Sequence, residues 1–195
     1  WEIQRRRRAL ELHAQPIPCR GDNRHIRPFL ASLPFKLTDA QKDVLKEIRT
    51  DMGGTVPMRR LLQGDVGAGK TVVAACAILM AIESGRTAAL MAPTEILAEQ
   101  HWTNFKRWFE PLGLEVALRT GAQRQGKEAN AALTIGTHAL IQSSATFENL
   151  GLVVIDEQHK FGVAQRERLV RKGRYPHLLV MTATPIPRTL GLALY

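Results

Sequence analysis

A glycine-rich segment in the first half of the chain has the spacing of a phosphate-binding loop. Residues 64–71, GDVGAGKT, match the pattern G-x-x-x-x-G-K-[ST] at every position. Glycines leave room for several backbone N–H groups to converge on one anion. Lys70 can reach the outer phosphates of a nucleotide, and the hydroxyl of Thr71 can bind Mg²⁺. The predicted nucleotide-binding residues of this loop are Gly64, Asp65, Val66, Gly67, Ala68, Gly69, Lys70 and Thr71.

Two adjacent carboxylates follow an apolar segment later in the chain. The segment LGLVVI predicts a buried strand, and it leads directly into Asp156 and Glu157. Taken alone, such a pair could form a surface turn or cap a helix. In a parallel sheet, however, ligands gather at the carboxyl ends of the strands, where the phosphate-binding loop would also lie. We therefore expect Asp156 to bind Mg²⁺ and Glu157 to activate the attacking water, so that the candidate catalytic residues are Lys70, Asp156 and Glu157.

The segments around these residues alternate between predicted strands and predicted helices. Thr38 is the expected N-cap of a helix that ends near Met52. Apolar runs predict strands at 59–63, 86–91, 114–118, 133–136, 151–155 and 177–182. Helical periodicity predicts helices at 70–84, 94–109 and 163–172. Alternation of this kind predicts an α/β fold with a mostly parallel sheet covered by helices. The aromatic residues of the 94–109 helix should pack in the core, and they are Trp102, Phe105, Trp108 and Phe109.

The charge of the chain is positive and unevenly distributed. The 195 residues carry a formal net charge of +9, and residues 1–60 hold 13 Lys and Arg against 7 Asp and Glu, which is +6 of that excess. A basic protein often has a polyanionic partner, although a solvated basic tail explains the charge equally well. No segment approaches the ~18 apolar residues of a membrane span, and the N-terminus lacks the apolar core of a signal peptide. We therefore expect a cytoplasmic protein with no membrane partner.

The first part of the chain is expected to be an extension that precedes the domain. Four prolines between residues 16 and 34 interrupt any periodicity, so residues 1–34 are predicted to be the end of a helix and a Pro-rich linker that lies across a surface. The domain itself should cover residues 35–195. Because the chain begins with Trp1, we expect a fragment of a longer protein. Cys19 and Cys76 lie in unrelated segments and should be free thiols.

Several motifs together resemble those of superfamily 2 helicases and translocases. Asp156-Glu157-Gln158-His159 looks like their motif II, and LTDAQ (37–41) lies where that group carries an adenine-reading glutamine. Three further segments look like motif Ia, the Ib region and motif III, namely APTEILAEQH (92–101), IGTHALIQ (135–142) and MTATPIPRTL (181–190). Together with GDVGAGKT and FGVAQR, the combination is similar to the RecG-type family of ATP-dependent DNA helicases. That family remodels branched DNA such as stalled replication forks and Holliday junctions.

This resemblance implies a RecA-like P-loop NTPase domain that is the first of two motor domains and uses ATP and Mg²⁺. It implies that Thr71 and Asp156 bind the Mg²⁺ and that Phe35 and Gln41 hold the adenine. The resemblance also implies that the DNA backbone is contacted by Thr94, Thr137 and His138. Thr94 could also be a plain N-cap, and the two roles can coexist. It further implies that the nucleotide state is coupled to DNA binding through Gln158, His159, Thr182 and Thr184.

The implied partners are branched DNA, a second motor domain and a wedge domain of the same polypeptide, and a single-strand-binding protein, with the protein a monomer. Because a motor of this type needs an arginine from its second domain, residues 1–195 alone are expected to be nearly inactive. Three alternatives remain open. A transcription-repair coupling translocase typically has a second Glu where this chain has Gln158. A non-hydrolysing nucleotide-dependent scaffold would not need Glu157, and a small-molecule P-loop kinase would need a basic lid that is not visible.

Two parts of the sequence receive no assignment. Only 14 residues separate Leu118 from Leu133, where the resembled family usually has a loop, a helix and the start of a strand. No element is therefore predicted for residues 119–132, although the Thr-Gly element of the family would fall at Thr120-Gly121. The other histidines are scattered, and no metal-binding set is predicted among His13, His25, His101, His159 and His177.

Overall fold

The six predicted strands and two further ones pair into an eight-stranded sheet in the computed structural model of this chain. The structure describes residues 18–65, 69–140, 147, 149–157, 168, 176–183 and 191–194. The strands are β1 (Arg59–Gln63), β2 (Thr87–Met91), β3 (Val116–Arg119), β4 (Arg124–Gln125), β5 (Leu133–Gly136), β6 (Leu150–Glu157), β7 (His177–Thr182) and β8 (Gly191–Leu194). Their order across the sheet is β4-β3-β5-β2-β6-β7-β1-β8. The six inner strands run parallel, and β4 and β8 add an antiparallel strand at each edge. The prediction of an α/β fold with a mostly parallel sheet is confirmed.

Four α-helices cover the sheet within the described residues: α1 (Ile26–Ser32), α2 (Asp39–Met52), α3 (Lys70–Glu83) and α4 (Glu95–Phe109). Short 3₁₀ segments follow at Glu110–Leu112, Glu128–Asn130 and His138–Leu140. Thr38 is the N-cap of α2, as predicted, and it forms a reciprocal capping box with Gln41 that was not predicted. Every residue of α3 from Val72 to Glu83 is buried, which explains why this helix is apolar on all sides.

The structure corrects the prediction of a linker before residue 35, because α1 lies inside that segment. Pro28 falls in the first turn of α1, where a backbone N–H has no partner within the helix, so the proline does not interrupt it. Phe29 is fully buried and packs edge-on against Trp108 and Phe109, with ring centroids 5.6 Å and 6.3 Å away. Phe105 and Phe109 therefore belong to the core as predicted, whereas Trp102 and Trp108 are partly buried against it. Residues 1–17 lie outside the described part of the chain.

The segment between β3 and β5 begins with a hairpin, in a part of the chain for which no element was predicted. β3 and β4 pair antiparallel, with Leu118 opposite Gln125, and a single 3₁₀ turn leads into β5. The guanidinium of Arg119, which is buried, pairs with the carboxylate of Glu128 at 2.9 Å and ties the two ends of the connection together. The 14 residues between Leu118 and Leu133 therefore connect the two strands through a hairpin and a 3₁₀ turn.

The end of the chain, one predicted helix and the two cysteines remain to be described. Residues 191–194, for which no strand was predicted, pair with β1, and Leu61 lies opposite Ala193. The predicted helix at 163–172 lies outside the described residues except for residue 168. Cys19 and Cys76 are free and buried, and burial raises their pKa values to about 11 and about 12. No helix in the described part of the chain is long and apolar enough to span a membrane.

Candidate functional site

The carboxyl ends of three neighbouring strands bring the phosphate-binding loop and the acidic pair to one edge of the sheet. The loop follows β1 directly, β7 ends at Thr182, and β6 ends at Asp156 and Glu157. Thr182 is the register partner of Gln63 on one side and of Glu157 on the other. The backbone carbonyl of Thr182 also accepts a hydrogen bond from the N–H of Gly64 at 3.3 Å. β7 therefore joins the start of the loop to the acidic strand end.

Lys70 is the first residue of α3, and its ammonium group contacts the loop itself. It donates hydrogen bonds to the carbonyl oxygens of Gly64 at 2.5 Å and Asp65 at 2.9 Å. Burial lowers the pKa of Lys70, and the negative charges of Asp156 and Asp65 oppose that shift. The ammonium group therefore contacts the loop and also feels the negative charge of Asp156.

The N-terminus of α3 has the properties of an anion-binding site. Its N-cap residue, Gly69, supplies no side-chain cap, and no acidic residue lies in the first turn to neutralise the helix dipole. Gly69 has a left-handed backbone (φ 77°), and a Cβ at this position would collide with the side-chain amide of Gln41. Only glycine fits there without strain. These features fit a bound polyphosphate. The middle of the loop lies outside the described residues, namely Val66, Gly67 and Ala68.

Gln41 lies beside the phosphate-binding loop, and its side-chain amide contacts the backbone on both sides. Its Oε1 accepts the backbone N–H of Thr38 at 2.9 Å, and its Nε2 donates to the carbonyl of Gly69 at 3.5 Å. The residue is only 4% exposed. Gln41 therefore connects the start of α2 to the last residue of the loop, a structural role that sequence reasoning did not predict. Phe35, the other proposed adenine contact, is 48% exposed in the segment that leads into α2.

A histidine that sequence reasoning dismissed contacts the predicted Mg²⁺ ligand. His101 Nε2 lies 2.7 Å from Asp156 Oδ2, and both side chains are largely buried. His101 belongs to the buried face of α4, which also contains Ala98, Phe105 and Phe109. That spacing of three, four and four residues was visible in the sequence and places His101 on the face directed at the sheet. The partner could not be found in this way, because Asp156 is 55 residues further along the chain.

The proposed DNA contacts lie on the other half of the same sheet edge. Thr94 follows β2 and Thr137 and His138 follow β5, and these strands are neighbours with Met91 opposite Gly136. Thr94 is exposed, and its hydroxyl caps α4 by accepting the N–H of Leu97 at 3.3 Å. Thr137 is buried and His138 is exposed. Because β2 is next to β6, the proposed DNA residues lie directly beside the proposed nucleotide residues along this edge.

The hairpin between β3 and β4 extends this edge and is attached to α4. Thr120 and Gln123 close the turn, with the Gln123 N–H donating to Thr120 Oγ1 at 3.0 Å. The carboxylate of Glu95, the first residue of α4, accepts the N–H of Ala122 at 3.2 Å. The turn lines a polar pocket of about 300 Å³ that also reaches Ala139 beside His138. Thr120-Gly121 therefore lies on the same edge as the proposed DNA contacts.

Several predicted site residues fall outside the part of the chain that the structure describes. Gln158, His159 and Thr184 are among them. Glu157 ends β6, and its backbone is paired with Thr182, but its side chain is outside the description. The predicted role of each of these side chains stays a prediction.

Comparison with known proteins identifies relatives over most of the chain. Residues 38–192 match the family model of the DEAD/DEAH box helicases. Similar proteins named ATP-dependent DNA helicase RecG come from Acidithiobacillus ferridurans, at 54% identity over 191 residues, and Pasteurella multocida (strain Pm70), at 55% over 199 residues. These alignments cover 93% and 95% of this chain and 28% of each relative. The chain thus spans less than a third of the length of the relatives it matches.

Solved structures show the same similarity in three dimensions. A structure of RecG bound to a three-way DNA junction superimposes with a TM-score of 0.79 at 44% identity, covering 95% of this chain and 26% of that one. Yeast Dbp5 bound to RNA and ADP BeF3 superimposes with a TM-score of 0.67 at 19% identity, covering 89% of this chain and 47% of that one, which shows the fold alone.

Proposed function

The chain belongs to the DEAD/DEAH box helicase family, and from this premise we propose that it is the first motor domain of a RecG-type ATP-dependent DNA helicase. The observation that carries the proposal is the arrangement at the sheet edge. The phosphate-binding loop, Lys70 and Asp156 lie at one end of it, and Thr94 and Thr137 lie at the other. The identities of 54% and 55% to proteins named RecG favour this type over a transcription-repair coupling translocase.

ATP is the proposed nucleotide, with Mg²⁺ as its metal. Residues 64–71 would hold the phosphates, with Phe35 and Gln41 at the adenine and Thr71 and Asp156 as Mg²⁺ ligands. When bound, the ion neutralises charge on the β- and γ-phosphates. Lys70 brings a second positive charge to the same phosphates from the start of α3. Glu157, at the end of β6, would orient the attacking water and accept its proton.

The proposed substrate is branched DNA, which includes replication forks and Holliday junctions. Thr94, Thr137 and His138 would contact the DNA backbone, and such contacts position a strand without reading its sequence. The bond from Gly64 to the Thr182 carbonyl supports coupling, because movement of the loop would reach β7 and, beyond it, Thr184. Gln158 and His159 would complete the connection. We further propose three partners for this domain: a second motor domain and a wedge domain of the same polypeptide, and a single-strand-binding protein. The protein would be a monomer and would be located in the cytoplasm.

The direct test is DNA-stimulated ATP turnover by the full-length protein with a forked DNA substrate. Wild-type protein should hydrolyse ATP and separate the strands, and Glu157→Gln should still bind ATP but lose most of its DNA-stimulated turnover, because the amide cannot accept the proton. Retained ATP binding in an equilibrium titration is the control. Absence of strand separation by the wild type would contradict the helicase assignment, and turnover in the variant within about twofold of wild type would exclude Glu157 as the base.

Nucleotide preference tests the role of Gln41. Its amide can donate to N7 of adenine and accept from the exocyclic amine, so Gln41→Ala should abolish the preference for ATP over GTP in competition binding. Because Gln41 also completes the cap of α2, the variant should lose about 1 kcal/mol of stability. Thr38→Ala is the matched control, since it weakens the same cap and leaves the Gln41 amide in place. An equal loss of preference in both variants would show that the cap matters and that Gln41 does not read the base.

A further inference from the structure

We propose that His101 is a positioning residue that holds the carboxylate of Asp156 and connects it mechanically to the DNA-facing end of α4. The inference rests on the proposed function, because it assigns His101 a role toward the proposed Mg²⁺ ligand. It adds a second connection between the nucleotide and DNA halves of the site, separate from the one through Thr182.

The contact itself has the geometry of a strong orienting bond. The distance of 2.7 Å between His101 Nε2 and Asp156 Oδ2 lies at the short end of nitrogen–oxygen hydrogen bonds. The two side chains are 11% and 15% exposed, so water competes little for the bond. The ring of His101 packs against Phe105, whose centroid is 6.3 Å away, and this packing restricts its orientation. The histidine therefore selects one orientation of the carboxylate.

The carboxylate that His101 orients also acts on the phosphate-binding lysine. The charge of Asp156 opposes the burial-induced lowering of the Lys70 pKa, so the carboxylate and the ammonium belong to one electrostatic group. Groups that orient a ligand from outside a metal site contribute about 10- to 100-fold to metal affinity or activity. A displacement of His101 would thus change both the Mg²⁺ ligand and its relation to Lys70.

The helix that carries His101 starts at the proposed DNA contact. Thr94 caps α4, and His101 lies seven residues later, about 10 Å along the helix axis. Glu95 anchors the same end of α4 to the β3–β4 hairpin through the Ala122 N–H. Since α4 is a regular helix of 15 residues, a shift of its N-terminus on DNA would move His101 with it. α4 therefore links occupation of the DNA edge to the orientation of Asp156.

The experiment compares three substitutions in the full-length protein. His101→Gln keeps a side-chain N–H close to the position of Nε2, whereas His101→Leu keeps the apolar contact with Phe105 and removes the donor. His101→Asn keeps an amide that is too short to reach Asp156, and it serves as the test if the leucine variant does not fold. The first readout is Mn²⁺ binding in the presence of ADP, followed by the electron paramagnetic resonance signal of free Mn²⁺. The second is the change in that affinity when forked DNA is added.

Leucine and asparagine should weaken Mn²⁺ binding by about 10-fold and remove most of its response to DNA, while glutamine should stay within about threefold of wild type. Thermal unfolding of the metal-free variants should remain close to wild type. Unchanged Mn²⁺ affinity in the leucine or asparagine variant would overturn the proposal. Equal losses in all three variants together with lowered thermal stability would also overturn it, because they indicate a packing role. Failure of the wild type to bind Mn²⁺ with ADP would instead contradict the proposed function.

Discussion

Lys70→Ala should reduce ATP turnover by the full-length protein by about 10²–10³-fold and strongly weaken nucleotide binding, because it removes the cation that neutralises the outer phosphates. The structure places this ammonium group on the carbonyls of Gly64 and Asp65, at the start of α3 and within the influence of Asp156. The change should be measured by titration with a fluorescent ATP analogue and by steady-state hydrolysis. Thermal unfolding should stay cooperative, since the ammonium contacts the loop and is not part of the core.

Lys42→Ala is the matched control for this substitution. It removes the same charge from an exposed position on α2, where Lys42 forms only a surface ion pair with Asp39 at 3.5 Å. Such pairs contribute about 0–1 kcal/mol, so binding and turnover should not change. Equal ATP affinity in Lys70→Ala and wild-type protein would contradict the assignment of residues 64–71 as a phosphate-binding loop.

Glu83→Ala should lower the free energy of unfolding by about 3–5 kcal/mol, because it removes several charge-assisted hydrogen bonds at once. The Glu83 carboxylate is 7% exposed and accepts four backbone N–H groups at 2.8–3.0 Å. The donors are Asp22, Asn23, His25 and Ile26. Removal of the carboxylate leaves these donors without their acceptor, including the first N–H of α1. The segment that carries α1 and Phe29 should then separate from the domain.

Urea unfolding followed by circular dichroism measures this loss, and Glu47→Ala serves as the control. Glu47 is exposed on α2, so its replacement should change stability by no more than about 0.5 kcal/mol. Protection of the amides of residues 22–26 from hydrogen exchange should fall in Glu83→Ala before global unfolding occurs. A stability loss below about 1 kcal/mol with unchanged amide protection would show that Glu83 does not anchor the N-terminal segment.

Glu83 also shows how one helix serves two distant parts of the molecule. α3 begins at Lys70, on the proposed phosphates, and ends at Glu83, on the N-terminal segment, about 20 Å away along its axis. Its residues between these two ends are buried, so the helix is held in place along its length. The N-terminal segment is therefore attached to the same element that carries the phosphate-binding lysine.

The sequence by itself determined the features that depend on local chemistry. The strands at 59–63, 133–136 and 177–182 and the start of α3 were predicted at their observed boundaries, because buried parallel strands require continuous apolar runs and the loop requires glycines. Lys70 and Asp156 were likewise placed at one sheet edge, since every parallel strand ends at the same edge of the sheet. The N-cap at Thr38 is another local feature, as the bond from the Gln41 N–H to its hydroxyl joins residues three positions apart.

Only the tertiary structure decided which distant residues meet. The pairing of β7 with β1, the His101–Asp156 contact and the four bonds to Glu83 join residues 55 or more positions apart. No periodicity of 2 or 3.6 residues carries information over such separations. α1 was missed for the same reason: its prolines suggested a linker, and its stability comes from Glu83 and from the aromatic residues of α4. A short helix gains too little from its own hydrogen bonds to form in water, so its presence depends on the surface against which it packs.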